Sequence, residues 1–409
     1  MRGDMSEVQA RSEPSSRPPV NGRLVVMLSA NILSALVFTA LSPVLPEIAA
    51  YFGGDDGTFL AQMVMSAPGA GVIVGGLLGG FIVMKFGLPA TLFVALACFA
   101  LVGSAPLYLQ SGEWLLASRF ALGATDAVIQ ISLMTLISLS FSDEQRARLI
   151  GYATAIGYGG AILSVLASGA LAETFGWRAP GLLYLYAIPV LVLALFTVRP
   201  VPVAAPEARA TGGGRLAALR PAWSTYLIIP PLYAVNYMLA IQFAFVLQAN
   251  GITSPAEKSW IMVAGLVAGI AGAASSGRLL GRLGQLRLFG VMALLLGSGQ
   301  AIIGLSTHVP GTLAGAAIAG LAGGMVLPTL VNTVISQVPL SVRSTAIGLV
   351  YSTAYLGEFL NPVLLDPIRR AIGIHGVFIS VGLGVATIGI ATFIAARRAD
   401  SAAARRRPA

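Results

Sequence analysis

Residues 114–139 read WLLASRFALGATDAVIQISLMTLISL, an apolar run long enough to cross a bilayer that nevertheless carries Arg119 and Asp126. A charge at mid-membrane costs about 2.5 to 3.5 kcal/mol on insertion scales, so neither residue is expected to face lipid. On a helix, Arg119, Gly123, Asp126 and Gln130 follow i, i+4, i+7, i+11 spacing and share one face. That face must look into protein or into water. It is either a binding or proton site in an aqueous cavity or an ion pair satisfied between packed helices, and ionisable residues inside a span favour the first.

Similar runs fill the rest of the 409 residues. The chain is 56% hydrophobic and 10% charged, with a mean hydropathy of +0.84. A soluble domain carries about a quarter charged residues, and stretches of about 18 or more apolar residues recur throughout. The class is therefore all-α integral membrane. The single cysteine, Cys98, lies inside the third run, which excludes intrachain disulfides and cysteine-rich metal sites. A net charge of +9 raises the question of nucleic acid, but the basic residues sit in short segments between apolar runs, so no nucleic-acid partner is expected. Lys85 and Lys258 are the only lysines, and the chain is rich in Ala and Gly. That usage points to a GC-rich bacterial genome and a bacterial inner membrane.

Residues 1–23 form a polar, proline-punctuated tail expected to be disordered and cytoplasmic. It is not read as a signal peptide, since the apolar run that follows is long and no small-residue cleavage site ends it. Six spans are predicted within 24–198, at 24–41, 59–84, 88–109, 114–139, 149–172 and 180–198. Six more are predicted within 223–396, at 223–247, 261–283, 288–305, 313–338, 344–365 and 373–396. The Pro-, Gly- and Arg-rich segment 199–222 is read as a cytoplasmic linker between two six-helix bundles, and 397–409 as a basic cytoplasmic tail. With alternate loops assigned, twenty Lys and Arg fall on the presumed inner side. Four (Arg178, Lys258, Arg369 and Arg370) fall outside, which predicts that both termini are cytoplasmic.

Residues 80–87 (GFIVMKFG) follow the second span and residues 277–284 (GRLLGRLG) the eighth. Both read G-x-x-x-x-[KR]-x-G in the same place within each half, which suggests duplication. These octets resemble the loop motif G-x-x-x-D-R-x-G-R-[RK] of the major facilitator superfamily. Gly80, Lys85 and Gly87, with Gly277, Arg282 and Gly284, are then the gating positions. Met84 and Gly281 stand where that motif has its acid, which in the family takes part in a cytoplasmic latch of the outward-facing state. Arg119 with Gly123 resembles the family's fourth-span R-x-x-x-G, whose arginine is associated with proton coupling or substrate contact. Trp177-Arg178 resembles its pair between spans five and six. The glycine-rich fifth span is similar to the antiporter motif but lacks its Gly-Pro pair.

The resemblance implies two bundles of six rocking about a midplane site, with spans one, four, seven and ten lining the cavity, and it implies a monomer. Polar residues of those spans, joined by Tyr355 of the eleventh, make Asn31, Arg119, Asp126, Gln130, Tyr233, Asn236, Tyr237, Asn332 and Tyr355 the substrate-binding candidates. Glu358 in the eleventh span shares a face with Tyr351 and Tyr355. A carboxyl in low dielectric favours its neutral form and can exchange a proton near neutral pH, so Asp126 and Glu358, with Arg119 beside an acid, are the proton-coupling candidates. Gly71, Gly75 and Gly79, Gly76 and Gly80, Gly311 and Gly315, and Gly320 and Gly324 have small-x-x-x-small spacing and are expected to mediate close helix packing. Pro230, Pro231 and Pro328 are candidate hinges.

No metal or cofactor is expected. His308 and His375 are far apart without ligand spacing, and neither a nucleotide loop nor a Ser/His/Asp constellation is present. An enzyme is therefore not expected. The leading functional reading is secondary active transport by alternating access, as proton-coupled efflux of a small organic or amphiphilic solute. The alternative is uptake or exchange of a small organic anion whose carboxylate Arg119 clamps. The partners implied are the bilayer, a small-molecule substrate and protons.

Overall fold

In hydrocarbon every backbone N–H and C=O must be satisfied within its own segment, so each apolar run becomes a helix. The computed structural model describes residues 22–141, 143–199 and 214–405. The expected tail over 1–21, most of the expected linker (200–213) and residues 406–409 lie outside the described residues. The first half contains α1 (Gly22–Phe52), α2 (Gly54–Phe86), α3 (Leu88–Gly103), α4 (Gly112–Ser140), α5 (Asp143–Phe175) and α6 (Ala179–Thr197). The second begins with α7, built of three pieces at Trp223–Asn236, Met238–Ile241 and Phe243–Ala249. It continues with α8 (Pro255–Leu283), α9 (Gln285–Leu305), α10 (Val309–Gln337), α11 (343–372) and α12 (374–405).

α11 and α12 follow one another with no intervening loop over Arg343–Arg405, 63 residues. A rod of that length would be about 95 Å, against a hydrocarbon core of about 30 Å. Gly373, at φ 75° and ψ 171°, breaks it. Beyond the break the chain reverses along α9: Gly290, Gly297 and Gly304 meet the backbone of Gly389, Gly382 and His375 in antiparallel order. Twelve spans in two bundles result.

The boundaries depart from the sequence reading where prolines sit at helix starts. The first span does not end at 41. It passes through a 3-10 turn at Ser42–Val44 and continues to Phe52. Pro43 and Pro46 occupy first-turn positions, where the missing N–H costs nothing. Likewise α8 starts at Pro255 rather than 261, because Ser254 caps it by accepting from the Glu257 N–H at 3.2 Å. A short helix at Gly214–Leu219 occupies part of the segment read as linker. At the other end α12 runs on through Arg397 and Arg398.

The duplication hinted at by the octets is written in the backbone. Among the described residues, the glycines with positive φ pair off between halves: Gly53 with Gly251, Gly87 with Gly284, and Gly176 with Gly373, separated by 198, 197 and 197 positions. Each ends a helix in a conformation that a Cβ disfavours. Helix packing repeats in the same register. Gly123 of α4 lies on the backbone of Pro68 in α2, and Gly320 of α10, 197 positions on, lies on Gly265 of α8. Gly71, Gly75 and Gly79 pack on α4, and Gly324 packs on Gly269. Gly76 and Gly80 correct the expectation, since a side chain there would meet nothing within 4 Å.

Each half has its own apolar core, and a third cluster, including Leu41, Ile48, Val64, Leu115, Ala172 and Ile241, joins them. That cluster lies near one membrane face. The other face, where Arg23 Nε donates to the Thr197 carbonyl at 2.8 Å, carries the ends of α1, α6 and α12 and is called here the tail face. Polar contacts between the bundles reinforce the closed side. Lys258, fully buried in α8, meets Glu47 of α1 at 2.6 Å. Ser254 donates to Glu173 of α5 at 2.8 Å, and Ser42 donates to the Ala240 carbonyl. Deeper, Gln62 of α2 donates to Gln242 of α7 at 2.8 Å. Gln242 donates to Asn361 of α11 at 3.1 Å, and Asn361 to the Ala234 carbonyl at 2.6 Å.

Because Lys258 has no access to solvent, Glu47→Gln strands a charge, an effect of up to about 3 kcal/mol for a buried pair broken on one side. Spin labels at Tyr51 and Thr253 in a Cys98→Ser background should show a longer distance population in Glu47→Gln. That population should retreat in the double variant Glu47→Gln/Lys258→Met. An unchanged distance distribution in the single variant would refute the latch.

Candidate functional site

Between the bundles and toward the tail face lies a cavity of about 530 Å³. Its wall comes from α1, α5, α7, α8, α10 and α11. Aromatic rings dominate one side: Phe38 stacks on Tyr355 (centroids 5.6 Å, 22°) and meets Tyr237 edge-on (6.5 Å, 66°), while Tyr158 joins them from α5. Asn31, Ser34 and Asn236 supply hydrogen-bonding groups. Small residues, Gly265, Gly269, Gly320 and Gly323 among them, floor the other side. Among the described residues no Lys, Arg or His lines this space.

Of the residues singled out from sequence, Asn31, Asn236, Tyr237 and Tyr355 line the cavity. Tyr233 stands behind Tyr237, its ring 6.0 Å away. Gln130 is turned to α1, where its amide donates to Ser34 at 2.7 Å and to the Ala30 carbonyl at 3.3 Å. Asn332 is exposed and outside the lining. The expectation that α4 contributes to the wall is thus corrected. Gly123 seats α4 against α2, and the polar face of α4 is spent on hydrogen bonds to α1. In its place α5, α8 and α11 contribute Tyr158, Met262 and Tyr355.

Arg119 is the largest correction. It is buried, 1% exposed, and does not reach the cavity. One guanidinium nitrogen donates to the Val102 and Gly103 carbonyls at 2.6 and 2.7 Å, satisfying the C-terminal end of α3. The cation lies 5.1 Å from the ring centroid of Tyr184. Residues seven apart share a helix face only approximately: Arg119 points at α3, while Asp126 and Gln130 point at α1. The arrangement makes Arg119 a cap between helices.

Two carboxyls stand one layer behind the wall. Asp126 is buried, and Ser34 Oγ donates to its Oδ1 at 2.6 Å. Ser34 lines the cavity, so a single hydroxyl separates Asp126 from the space within. Glu358 is fully buried, and the Tyr237 side chain interacts with its carboxyl. It sits where α11 meets α2, so close to Gly69 that a Cβ there would be 3.6 Å from its carboxyl carbon. Its carboxyl therefore lies on the boundary between the bundles. Around this point α7 is discontinuous, with Ala240 N–H donating to the Tyr237 carbonyl and Phe245 N–H to the Gln242 carbonyl in i to i+3 fashion. Broken spans at a midplane cavity are a recurrent device of secondary transporters.

The gating octets place Lys85 over the rings of Phe86 and Phe81, at 5.3 and 5.9 Å. Gly87 and Gly284 end α2 and α8 with their N–H groups donating to Val83 and Leu280 carbonyls, both at 3.0 Å. Gly80 and Gly277 face open space. Sequence reasoning missed Glu47, Lys258, Gln62, Phe38 and Tyr158. The Ser254-x-x-Glu257 capping box was the available signal that Lys258 belongs to a helix.

Comparison with known proteins gives one family and one fold. A model of the Major Facilitator Superfamily matches residues 27–253 and 243–409. The multidrug efflux pump Tap of Mycolicibacterium fortuitum is 24% identical over 208 residues, covering 49% of this chain and 51% of that protein. The chain thus spans about half the length of this curated relative. Among solved structures, the POT family transporter PepTSo superposes with a TM-score of 0.71 at 12% identity, covering 92% of this chain and 98% of that one. A D-xylose-proton symporter gives 0.71 at 15% identity, covering 90% and 96%. Two matched halves, a cavity between two six-helix bundles and a shared fold agree: the chain belongs to the Major Facilitator Superfamily.

Proposed function

We propose that this transporter is a proton-coupled exporter of small, amphiphilic, neutral or cationic organic compounds. The observation that carries the proposal is the cavity itself, with aromatic and amide walls, no basic lining side chain among the described residues, and two carboxyls immediately behind. Aromatic faces attract cations and hold flat apolar bodies. An organic anion would enter this space unpaired, because Arg119 is held by the end of α3. The name of the Mycolicibacterium relative supports the export direction.

With the tail face taken as cytoplasmic, this conformation is open inward and latched outward. Glu358 is fully buried where α11 meets α2, which makes it the coupling carboxyl in this reading. Rocking the bundles alters the α2–α11 contact at Gly69 and brings the carboxyl to water, where the proton leaves. Asp126 takes substrate charge or a second proton through Ser34.

A thermal-shift screen of the purified protein should show stabilisation by lipophilic cations such as tetraphenylphosphonium but not by benzoate-like anions. A ligand at a hundred times its dissociation constant contributes about 2.7 kcal/mol. Asp126→Asn should abolish the shift. Stabilisation by anions that Arg119→Ala removes would instead establish the anion carrier.

In proteoliposomes, substrate movement should depend on a pH gradient, and Glu358→Gln should remove that dependence while leaving substrate-stabilised melting within about twofold in affinity. If Glu358→Gln still responds to the gradient, the coupling role fails. Arg119→Met, by contrast, should lower melting temperature, since it leaves two buried carbonyls unpaired at about 1 to 3 kcal/mol each, while changing affinity for cations little.

A further inference from the structure

A second concavity, of about 480 Å³, lies between α2, α3 and α4 and shares no lining residue with the central cavity. Its rim residues Leu78, Phe86 and Val94 are exposed, which in a membrane-spanning chain means that it opens to lipid. Its walls are almost wholly apolar, and small side chains such as Ala95 leave the space. Along α3 it extends from Ala90 to Cys98, about 12 Å of helix, from the tail-face boundary toward mid-membrane.

The hydroxyl left without a partner lies at one end, while that of Thr125, deeper in the lining, donates to the Leu122 carbonyl at 2.8 Å. Thr91 is 5% exposed, lines the groove, and its hydroxyl has no hydrogen-bond partner. Phe86 forms the mouth, and the Lys85 ammonium lies 5.3 Å from its ring centroid. A largely apolar slot of chain width, an unpartnered hydroxyl one turn inside the boundary and a cation at the boundary follow the order of a phospholipid: acyl chain, glycerol ester, phosphate. We propose that this groove binds one acyl chain of an anionic phospholipid, with the Thr91 hydroxyl donating to an ester carbonyl and Lys85 facing the phosphate. A transported solute is the weaker fit, because nothing connects this groove to the central cavity through their lining residues.

The test is native mass spectrometry of the full-length protein after detergent delipidation and re-addition of phosphatidylglycerol or phosphatidylcholine of equal chain length. The wild type should retain one phosphatidylglycerol and at least ten-fold less phosphatidylcholine. Ala95→Phe, which fills the slot, and Lys85→Gln, which removes the cation, should each lower retention about ten-fold. Thr91→Val, nearly isosteric, gives the same reading at smaller amplitude if Ala95→Phe does not fold. Equal retention of the two lipids, retention unchanged by any one of these variants, or no retained lipid would overturn the site.

Discussion

A carboxyl buried at the boundary between two bundles carries a large desolvation cost for its charge, and Glu358 is in that position. The rest of the architecture can be read from this constraint. Gly69 gives α2 a surface that admits the carboxyl, and Gly357 lets α11 lie against Pro230 of α7. The break in α7 falls at Tyr237, which with Tyr355 of α11 lines the cavity near the acid. A change in the angle between bundles changes what surrounds Glu358, because its carboxyl lies against α2 of the opposite bundle.

The two halves share a backbone plan and differ in chemistry. Helix-ending glycines recur at 197 or 198 positions, and the α2–α4 contact at Gly123 is repeated between α8 and α10 at Gly320. On that common frame the first half carries Asp126 and the second carries Glu358. The position 197 after Asp126 is Gly323, which faces the Asn236 side chain. The acids are therefore not symmetry mates. One is held by a serine of its own bundle, the other is exposed to the partner bundle, so the same rocking motion acts on them unequally.

Much of this was legible in the chain. Hydropathy and the asymmetry of Arg and Lys determine the number of spans, because a lipid environment leaves helices as the available solution. The octets exposed the repeat only faintly, since a positive φ needs glycine but glycine does not need a positive φ: Gly80 and Gly87 look alike in sequence and differ in backbone. The site was less legible for a geometric reason. A helical face read at i+4 and i+7 drifts, and over the seven residues from Arg119 to Asp126 it carries the two side chains to different neighbours, α3 and α1. Glu47 and Lys258 were hidden by prolines that look like span ends and are helix starts.

The closed face raises the question of how such a latch is released. Alternating access requires two states within a few kcal/mol of one another. A buried ion pair, a capped helix end and a chain of three amides all favour the state seen here. The tail-side octets have Met84 and Gly281 in place of an acid, so that face has lost one means of holding the opposite state together. On the proposed mechanism the balance is restored by what enters the cavity and by the protonation of the two acids behind its wall. In the proposed cycle, substrate charge at Asp126 and a proton leaving Glu358 would both act where the bundles meet or one layer from it. A solute that binds equally well to both states would move nothing, however tightly it bound. Wall groups whose surroundings change between states are therefore where transport is distinguished from mere binding.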